Sequence, residues 1–361
     1  MFGLWWGAWA ASLPAVRHGV GASNAELGVV LLAVALAALP AMVLTGRLAN
    51  RGGEHLVWIT LAFFALVGVL PPLAPSRWVL FGFLLLVGAG SGALDVAINV
   101  RVTSLEAARR IRVMDGMHAL YSAGVVVGGV GAGLLRRAGA HPSAILAGVC
   151  AAVLLAAALN ARAEALPVPP ARHAPLAGPL LVIGAIFAVS ALLESGVEAW
   201  SALLLENGLH TNPAISGLGP GLFAAGMVTG RVLAQRVAPE STASRLAFSG
   251  IAAAAGLGLA AATTTPAAAV VGFFFAGCGL ALSIPTLFRL AGRLGAAPAI
   301  SSVAVIGYVG FLVGPPAIGG VAGATSLRGA FVFLACVGAL LVTTVPILRR
   351  IGRDSPAKQG F

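Results

Sequence analysis

The sequence predicts an all-α membrane protein with twelve transmembrane helices in two repeats of six. Hydrophobic residues make up 59% of the chain and charged residues only 9%, whereas soluble domains carry about 25% charged residues. About a dozen apolar stretches reach the roughly 20 residues that a helix needs to cross a bilayer. Motifs of the first half also recur in the second: Gly46-Arg47 as Gly230-Arg231, Tyr121 as Tyr308, and Gly124 as Gly310. Duplicated bundles of this kind are typical of secondary transporters, whose substrate site lies between the repeats.

Hydropathy and helix-breaking residues predict the positions of the spans. The first six are expected near 2–20, 24–46, 55–75, 77–100, 113–136 and 141–161, and the second six near 177–206, 213–236, 244–264, 266–288, 299–323 and 326–348. Prolines between Pro167 and Pro175 mark a linker. The predicted organisation is a first six-helix bundle over 1–161, a cytoplasmic linker over 162–176, a second bundle over 177–348 and a cytoplasmic tail over 349–361.

The basic residues predict the orientation of the bundle. Of the 22 Lys and Arg residues, 17 fall in the even-numbered connections and the tail. Basic residues in short loops favour the cytoplasmic side, so both termini are expected in the cytoplasm and the chain in a bacterial inner membrane. Contact between these loops and anionic membrane lipid accounts for the net charge of +11 without a nucleic-acid partner. The chain is expected to act as a monomer.

The sequence contains no pattern that indicates enzymatic chemistry. A phosphate-binding glycine loop, a nucleophile elbow and a metal-ligand cluster are all missing, so no enzyme, cofactor or metal is predicted. Cys150, Cys278 and Cys336 lie in predicted spans without paired spacing, which indicates packing rather than a disulfide or a metal site.

The connection between the second and third spans resembles a signature of the major facilitator superfamily. That signature has Gly, three intervening residues, Asp and then a basic residue; here Gly46, Asn50 and Arg51 occupy these positions, with Asn in place of Asp. A second copy begins at Gly230-Arg231. The resemblance covers essentially the whole chain and implies two six-helix halves that rock about a central site by alternating access. It also implies that these residues take part in the conformational change.

Further motifs are similar to those of a bacterial branch with fucose-permease-like relatives. They are Gly88-x-Gly-x-Gly-Ala-Leu-Asp95-x-x-x-Asn99, His118-Ala-Leu-Tyr-Ser122 and Glu194-x-x-x-Glu198-Ala-Trp200-Ser201. The chain departs from the branch at Ala199, where an acidic residue commonly precedes the Trp, and at Ser12, where an Arg often stands. The resemblance implies a small polar, sugar-like solute as the substrate.

Ionisable residues inside the spans are the candidates for function, because their burial in lipid is costly. Asp95 and Asn99 are four residues apart and share one face of the fourth span. His118 lies at similar depth on the fifth span, about 9 Å from its cytoplasmic end. We expect Asp95 and His118, which are also candidates for proton coupling, to pair as an inward-side gate, with Asn99 and Tyr121 as competing partners for the carboxylate. A static polar contact between the two helices is the alternative.

Two carboxyl groups, those of Glu194 and Glu198, share one face of the seventh span. Like charges in a low dielectric do not both ionise cheaply, so we expect this pair to bind the proton of a coupled transporter. Glu194 is favoured because it lies nearer the centre of the span, whereas Glu198 is nearer the outer surface. Trp200 is expected either to stack on a sugar ring or to anchor at the membrane interface.

Aromatic and small residues complete the predicted site. The substrate-cavity candidates are Trp9, Asn99, Tyr121, Trp200 and Tyr308. Glycines at four-residue spacing, as in Gly124-x-x-x-Gly128 and Gly310-x-x-x-Gly314, predict close helix packing. In the eleventh span, Gly314-Pro315-Pro316 predicts a flexion point, because prolines free backbone carbonyls and glycine gives the backbone room.

The predicted function is proton-coupled uptake of a small polar solute. Proton-coupled export of an amphipathic compound is the alternative. A non-transport receptor or sensor built on the same bundle is a further alternative, and it would usually carry a soluble signalling domain.

Overall fold

The computed structural model describes residues 1–49, 55–111, 113–161, 178–236 and 242–354, and all regular structure in these ranges is helical, as predicted. The first half contains α1 (Phe2–Gly19), α2 (Asn24–Ala49), α3 (Leu56–Gly68), a 3-10 turn (Pro71–Leu73), α4 (Arg77–Arg109), α5 (Met114–Arg137) and α6 (Pro142–Asn160). The second half contains α7 (Gly178–Leu203), a π turn (Leu204–Gly208), α8 (Pro213–Ser216), α9 (Leu218–Arg236), α10 (Thr242–Ala262), α11 (Pro266–Leu280), α12 (Ser283–Ala324), α13 (Leu327–Thr343) and α14 (Val345–Asp354).

Ten helical segments of the described residues are long and apolar enough to cross a membrane. Helices α1 and α9, which match the first and eighth predicted spans, are not among them. Three tryptophans, Arg17 and His18 lower the hydropathy of α1, and four glycines and two arginines lower that of α9. Both helices pack against several other helices, so much of their surface faces protein rather than lipid.

Helix α4 continues past its predicted end at 100 to Arg109. The turn that follows is held by Glu106, whose carboxylate accepts hydrogen bonds from the backbone N–H groups of Val113 (2.7 Å) and Met114 (2.9 Å). These bonds satisfy N–H groups that have no partner within the helix at the start of α5. The amphipathic end of α4 is thereby tied to the next helix.

Helix α12 differs most from the prediction, because it is continuous across the expected loop between the tenth and eleventh spans. It is not straight. A Cβ added to Gly292 would lie 3.3 Å from Cδ1 of Ile300, although eight residues of straight helix rise about 12 Å. The backbone therefore turns sharply between these residues, and α12 supplies the end of the tenth predicted span and all of the eleventh.

The helices pair in the same order in both halves. In the first half α1 packs on α5, α2 on α4 and α3 on α6; in the second half α7 packs on α12, α9 on α11 and α10 on α13. The most extensive contacts between the halves are those of α2 with α12 and of α5 with α9; α5 also packs on α8, and α1 packs on α7 and α9.

Glycines allow the paired helices to approach closely. A Cβ added to Gly124 of α5 would lie 2.9 Å from the backbone N of Leu4 in α1, and one added to Gly310 of α12 would lie 2.9 Å from Cα of Ala188 in α7. A side chain at either position would push the helices apart. The packing role predicted from the four-residue glycine spacing is confirmed at these two positions.

Candidate functional site

A cavity of about 580 Å³ lies between the two halves. Phe2, Met42 and Met117 line one end of it, near the start of α1, the last two turns of α2 and the start of α5. We call this the open end. In the other direction the cavity reaches Glu198 of α7 and Pro220 of α9. A concave space between the helices of a bundle is the usual position of a small-molecule site.

Asp95 lines the cavity and is bonded from both halves of the molecule. The side-chain amide of Asn99 donates to its Oδ1 (3.2 Å), and the hydroxyl of Tyr308 in α12 donates to its Oδ2 (3.3 Å). In the described residues these bonds hold the carboxylate. The structure thus gives Asp95 partners other than the predicted His118, and the Asp95–His118 pair stays a prediction. His118 also lines the cavity, near its open end.

The two carboxyl groups of α7 lie beside a cation of α9. Glu198 lines the cavity, and Glu194 lies one helical turn closer to the open end. Arg231 is within electrostatic reach of both carboxylates, and it donates a hydrogen bond to Oγ of Ser122 in α5 (3.2 Å). Glu198 was predicted to lie nearer the outer surface than Glu194; in the structure it lies one turn farther from the open end, and the cavity reaches it from that end.

Aromatic side chains cover much of the cavity wall. Trp9 and Tyr121 line it as predicted, and Tyr308 joins them from the second half. Trp5 lies behind Trp9, stacked on it with ring centroids 5.8 Å apart, and donates its indole N–H to the carbonyl of Gly68 (3.1 Å). These contacts give the aromatic wall a fixed shape.

Trp200 is not part of the cavity wall, so its predicted place as a lining residue is wrong. The side chain is fully buried among apolar residues, which also excludes an anchor at the membrane interface. The reason is the helical period: two residues after Glu198, the side chain points about 200° away from it around α7.

The residues predicted to act in conformational change have different surroundings. Asn50 and Arg51 lie outside the described residues. A Cβ added to Gly46 would meet no atom of the described residues within 4 Å, whereas Gly230 is packed against the carbonyl of Cys278 in α11. Helix α12 runs through Pro315 and Pro316 without a break, so flexion there stays a prediction.

The end of the bundle opposite the open end is closed by a buried ion pair between the halves. Arg136, near the end of α5, donates to both carboxylate oxygens of Glu206 in the π turn, at 2.8 and 2.9 Å. Side-chain exposure is 6% for Arg136 and 17% for Glu206. The same guanidinium donates to the carbonyl of Ala11 (2.6 Å), and Ser216 donates to Glu206 (2.6 Å). We call this end the sealed end.

Glycine contacts complete the closure of the sealed end. Between α2 and α12, a Cβ added to Gly319 would lie 2.7 Å from Cα of Gly28. Between α5 and α8, a Cβ added to Gly133 would lie 2.7 Å from the carbonyl oxygen of Pro213, and one added to Gly217, which follows α8, would lie 2.9 Å from Cα of Gly133. The two halves therefore touch backbone to backbone at this end.

Sequence reasoning missed Arg136 and Glu206, because each lies at the end of a predicted span, where a charge is ordinarily solvated. A usable signal was present. Glu206 is an acidic residue on the side of the bundle where few basic residues fall, and Arg136 is one of those few. Among the described residues, no group of three side chains suited to binding a metal occurs.

Comparison with known proteins identifies the family. Residues 1–297 match the sequence profile of the Major Facilitator Superfamily. The chain belongs to this superfamily. It is 33% identical over 368 residues to an uncharacterised transporter of the superfamily from Yersinia pestis, covering 97% of this chain and 93% of that protein. Membrane protein MosC of Rhizobium meliloti is 30% identical over 353 residues, covering 94% of this chain and 85% of that protein. The chain is thus a multi-pass membrane transporter rather than an enzyme.

Solved structures of the superfamily share the fold. A bacterial homologue of the human lysosomal transporter Spinster, in an inward-facing and occupied conformation, has a TM-score of 0.73 and covers 98% of this chain and 94% of its own. The nucleoside transporter NupG has a TM-score of 0.70 and covers 96% of both chains. Each is 16% identical in sequence, so the likeness supports the major facilitator fold alone.

Proposed function

We propose that this protein is a proton-coupled secondary transporter that moves a small polar solute across the bacterial inner membrane by alternating access. The observation that carries the proposal is the asymmetry of the cavity. It reaches the open end, while the Arg136–Glu206 pair and the glycine contacts close the sealed end. A solute that enters from the open end leaves on the other side only when those contacts separate.

We propose a layout of twelve spans in two repeats, with bundles over 1–161 and 177–348. The equal order of helix pairs in the two halves supports it. Tyr121 and Tyr308 support it as well, because they line one cavity from α5 and α12, the helices that pair with α1 and α7. The proposed linker, 162–176, lies outside the described residues.

The open end is proposed to face the cytoplasm, with both termini on that side. The argument is the distribution of basic residues: Arg47 and Arg109 lie at the helix ends on this side, and 17 of the 22 basic residues are assigned to it. The conformation is then open to the inside. Exposed apolar side chains such as Leu66, Leu155 and Leu159 would contact membrane lipid around a monomer.

Proton coupling is proposed for the Glu194–Glu198 pair. The positive charge of the Arg231 guanidinium compensates the negative charge of one of the two carboxylates, and a bound proton neutralises the other. The free-energy cost of burying the pair is therefore lower. Glu198 exchanges that proton with water in the cavity, while Tyr121 and Asp95 belong to the same electrostatic cluster. Asp95 already holds two hydrogen-bond donors and is better placed to contact the solute.

Export of an amphipathic compound by proton antiport remains the second candidate. The aromatic and apolar wall favours it, because Trp6, Trp9 and Phe311 offer large apolar surfaces to a ligand. The two candidates differ in the direction of proton movement relative to the solute. Export by antiport moves the proton and the solute in opposite directions, whereas uptake by symport moves them in the same direction.

Chemical labelling of one cavity residue tests the proposal. In a chain with Cys150, Cys278 and Cys336 replaced by Ser, Ala35→Cys places a single thiol in the cavity wall. A membrane-impermeant maleimide is applied to inside-out and right-side-out vesicles at an acidic and an alkaline pH. We expect faster labelling from the cytoplasmic side, with the ratio of the two rates dependent on pH.

Glu198→Gln should remove the pH dependence of that ratio. Glu26→Gln is the matched control, because Glu26 caps the start of α2 and pairs with Arg77 outside the cavity wall. Equal labelling from both sides would contradict alternating access, and a ratio independent of pH in the parent chain would contradict proton coupling.

A further inference from the structure

We propose that the cavity binds an organic cation, a small molecule that carries an ammonium group. The inference rests on the proposed function only in taking this cavity as the substrate site. Four features of the cavity carry it: charge, hydrogen-bonding capacity, aromatic faces and the position of the carboxylates.

The cavity wall is acidic. Asp95 and Glu198 line it from opposite halves, and no Lys or Arg occurs in its lining within the part of the chain that the structure describes. The imidazole of His118 also lines the wall near the open end, and Arg231 acts on Glu194 and Glu198 together, so three carboxyl groups stand against one guanidinium. A cationic ligand reduces this imbalance, and an anionic ligand increases it.

The two carboxylates of the wall have unused capacity to accept hydrogen bonds, although Trp6, Trp9 and Tyr121 also bring donors to the wall. A carboxylate accepts about four hydrogen bonds, whereas Asp95 receives two side-chain bonds and Glu198 receives none from the described residues. The amide of Asn99 is already committed to Asp95. An ammonium group has three donors and no acceptor, which fits this wall. A neutral sugar would bring acceptors that need further donors.

Aromatic rings line the same cavity as the two carboxylates. Trp6, Trp9 and Tyr121 line it from the first half, and Tyr308 and Phe311 line it from the second. The face of an aromatic ring attracts a cation, most strongly where water is excluded. The same faces offer apolar surface to the carbon skeleton of the solute.

The position of Glu198 has a consequence for coupling. It is the deepest carboxylate of the cavity and also the one proposed to bind a proton. A cation and a proton that share one carboxylate exclude each other, so one leaves when the other binds. This competition couples the two fluxes in opposite directions and favours antiport over symport.

Matched pairs of probes test the inference by charge alone. Binding to the purified full-length protein is measured through the fluorescence of its tryptophans and through thermal stability. The pairs are choline with its uncharged isostere dimethylbutanol, and glucosamine with glucose. We expect the cation of at least one pair to bind about tenfold more tightly than its partner.

Variants locate the site of that discrimination. Glu198→Gln and Asp95→Asn should each reduce the preference for the cation, whereas Glu26→Gln, outside the cavity wall, should leave it unchanged. Equal binding within every pair, no binding of any cation, or a preference that survives Glu198→Gln and Asp95→Asn combined would overturn the inference.

The two proposals fail in distinguishable ways. If the labelling of Ala35→Cys depends on the side and on pH but no cation is preferred, the proposed function stands and the inferred substrate class is wrong. If the protein prefers cations but Ala35→Cys is labelled equally from both sides, the inferred substrate class stands and the proposal of alternating access is wrong.

Discussion

The two ends of the molecule are joined by contacts of different kinds. At the sealed end, Arg136 and Glu206 form a buried two-pronged ion pair, and glycine backbones of the two halves touch. Towards the open end, the bonds found between the halves in the described residues are longer. Tyr308 donates to Asp95 at 3.3 Å, and Arg231 donates to Ser122 at 3.2 Å.

This difference indicates which contacts must break during a transport cycle. A buried ion pair is costly to desolvate and stabilises the closed end only because Ala11 and Ser216 supply companion hydrogen bonds. When that end opens, water replaces each of these bonds. Glycine contacts are van der Waals contacts without a preferred partner atom. Both kinds of contact therefore stabilise the closed end and can form again after that end has opened.

The largest effect is expected from Arg136→Gln. It leaves the carboxylate of Glu206 buried without its cation, which costs roughly 3–5 kcal/mol in comparable cases. The sealed end should open, and Ala35→Cys should become labelled faster from the periplasmic side. Arg137→Gln is the matched control, because the neighbouring side chain is exposed. Unchanged labelling in Arg136→Gln would show that the ion pair does not hold the end closed.

An intermediate effect is expected from Gly319→Ala. The added methyl group would lie 2.7 Å from Cα of Gly28, so the backbones of α2 and α12 must separate. Overpacking of this kind costs about 1–3 kcal/mol. Gly320→Ala is the matched control, because a Cβ at that position meets no described atom within 4 Å. If both variants shift the periplasmic labelling rate equally, helix propensity rather than the contact explains the result.

The smallest effect is expected from Tyr308→Phe, which removes one of the long bonds towards the open end. Loss of a single hydrogen bond changes stability by about 0.5–1.5 kcal/mol, and Asp95 keeps its bond from Asn99. The labelling ratio of Ala35→Cys should change only slightly. Tyr121→Phe is the control, since it removes the corresponding hydroxyl of the first half. A shift as large as that of Arg136→Gln would reverse the ranking of the two ends.

The fold and part of the site could be predicted from the sequence, because both depend on local patterns. Hydropathy and glycine spacing depend on neighbours along one helix, and they placed α1 to α7 close to their observed positions. Helical period also placed Glu194 and Glu198 on one face of α7. The superfamily signature at Gly46 and Arg51 predicted the family, which the match over residues 1–297 confirms.

The remaining features depend on how the halves dock, which no local pattern encodes. Tyr308 reaches Asp95 from α12, 213 positions along the chain, so sequence reasoning chose His118 on the adjacent helix instead. For the same reason Arg136 and Glu206 were not singled out, since they meet only when the two halves dock. The prediction for Trp200 failed for a different reason. The helical period alone places Trp200 on a different face of α7 from Glu198, but the prediction followed the sequence motif that contains both residues.

The central claim is that opening the sealed end closes the open end. Distances between spin labels test it directly, with one pair at the exposed positions Ala138 and His210 and another at Ala107 and Arg293. In Arg136→Gln, the first distance should lengthen by several ångström relative to the parent chain while the second shortens. A longer first distance with an unchanged second distance would mean that the sealed end only frays, and alternating access would be contradicted.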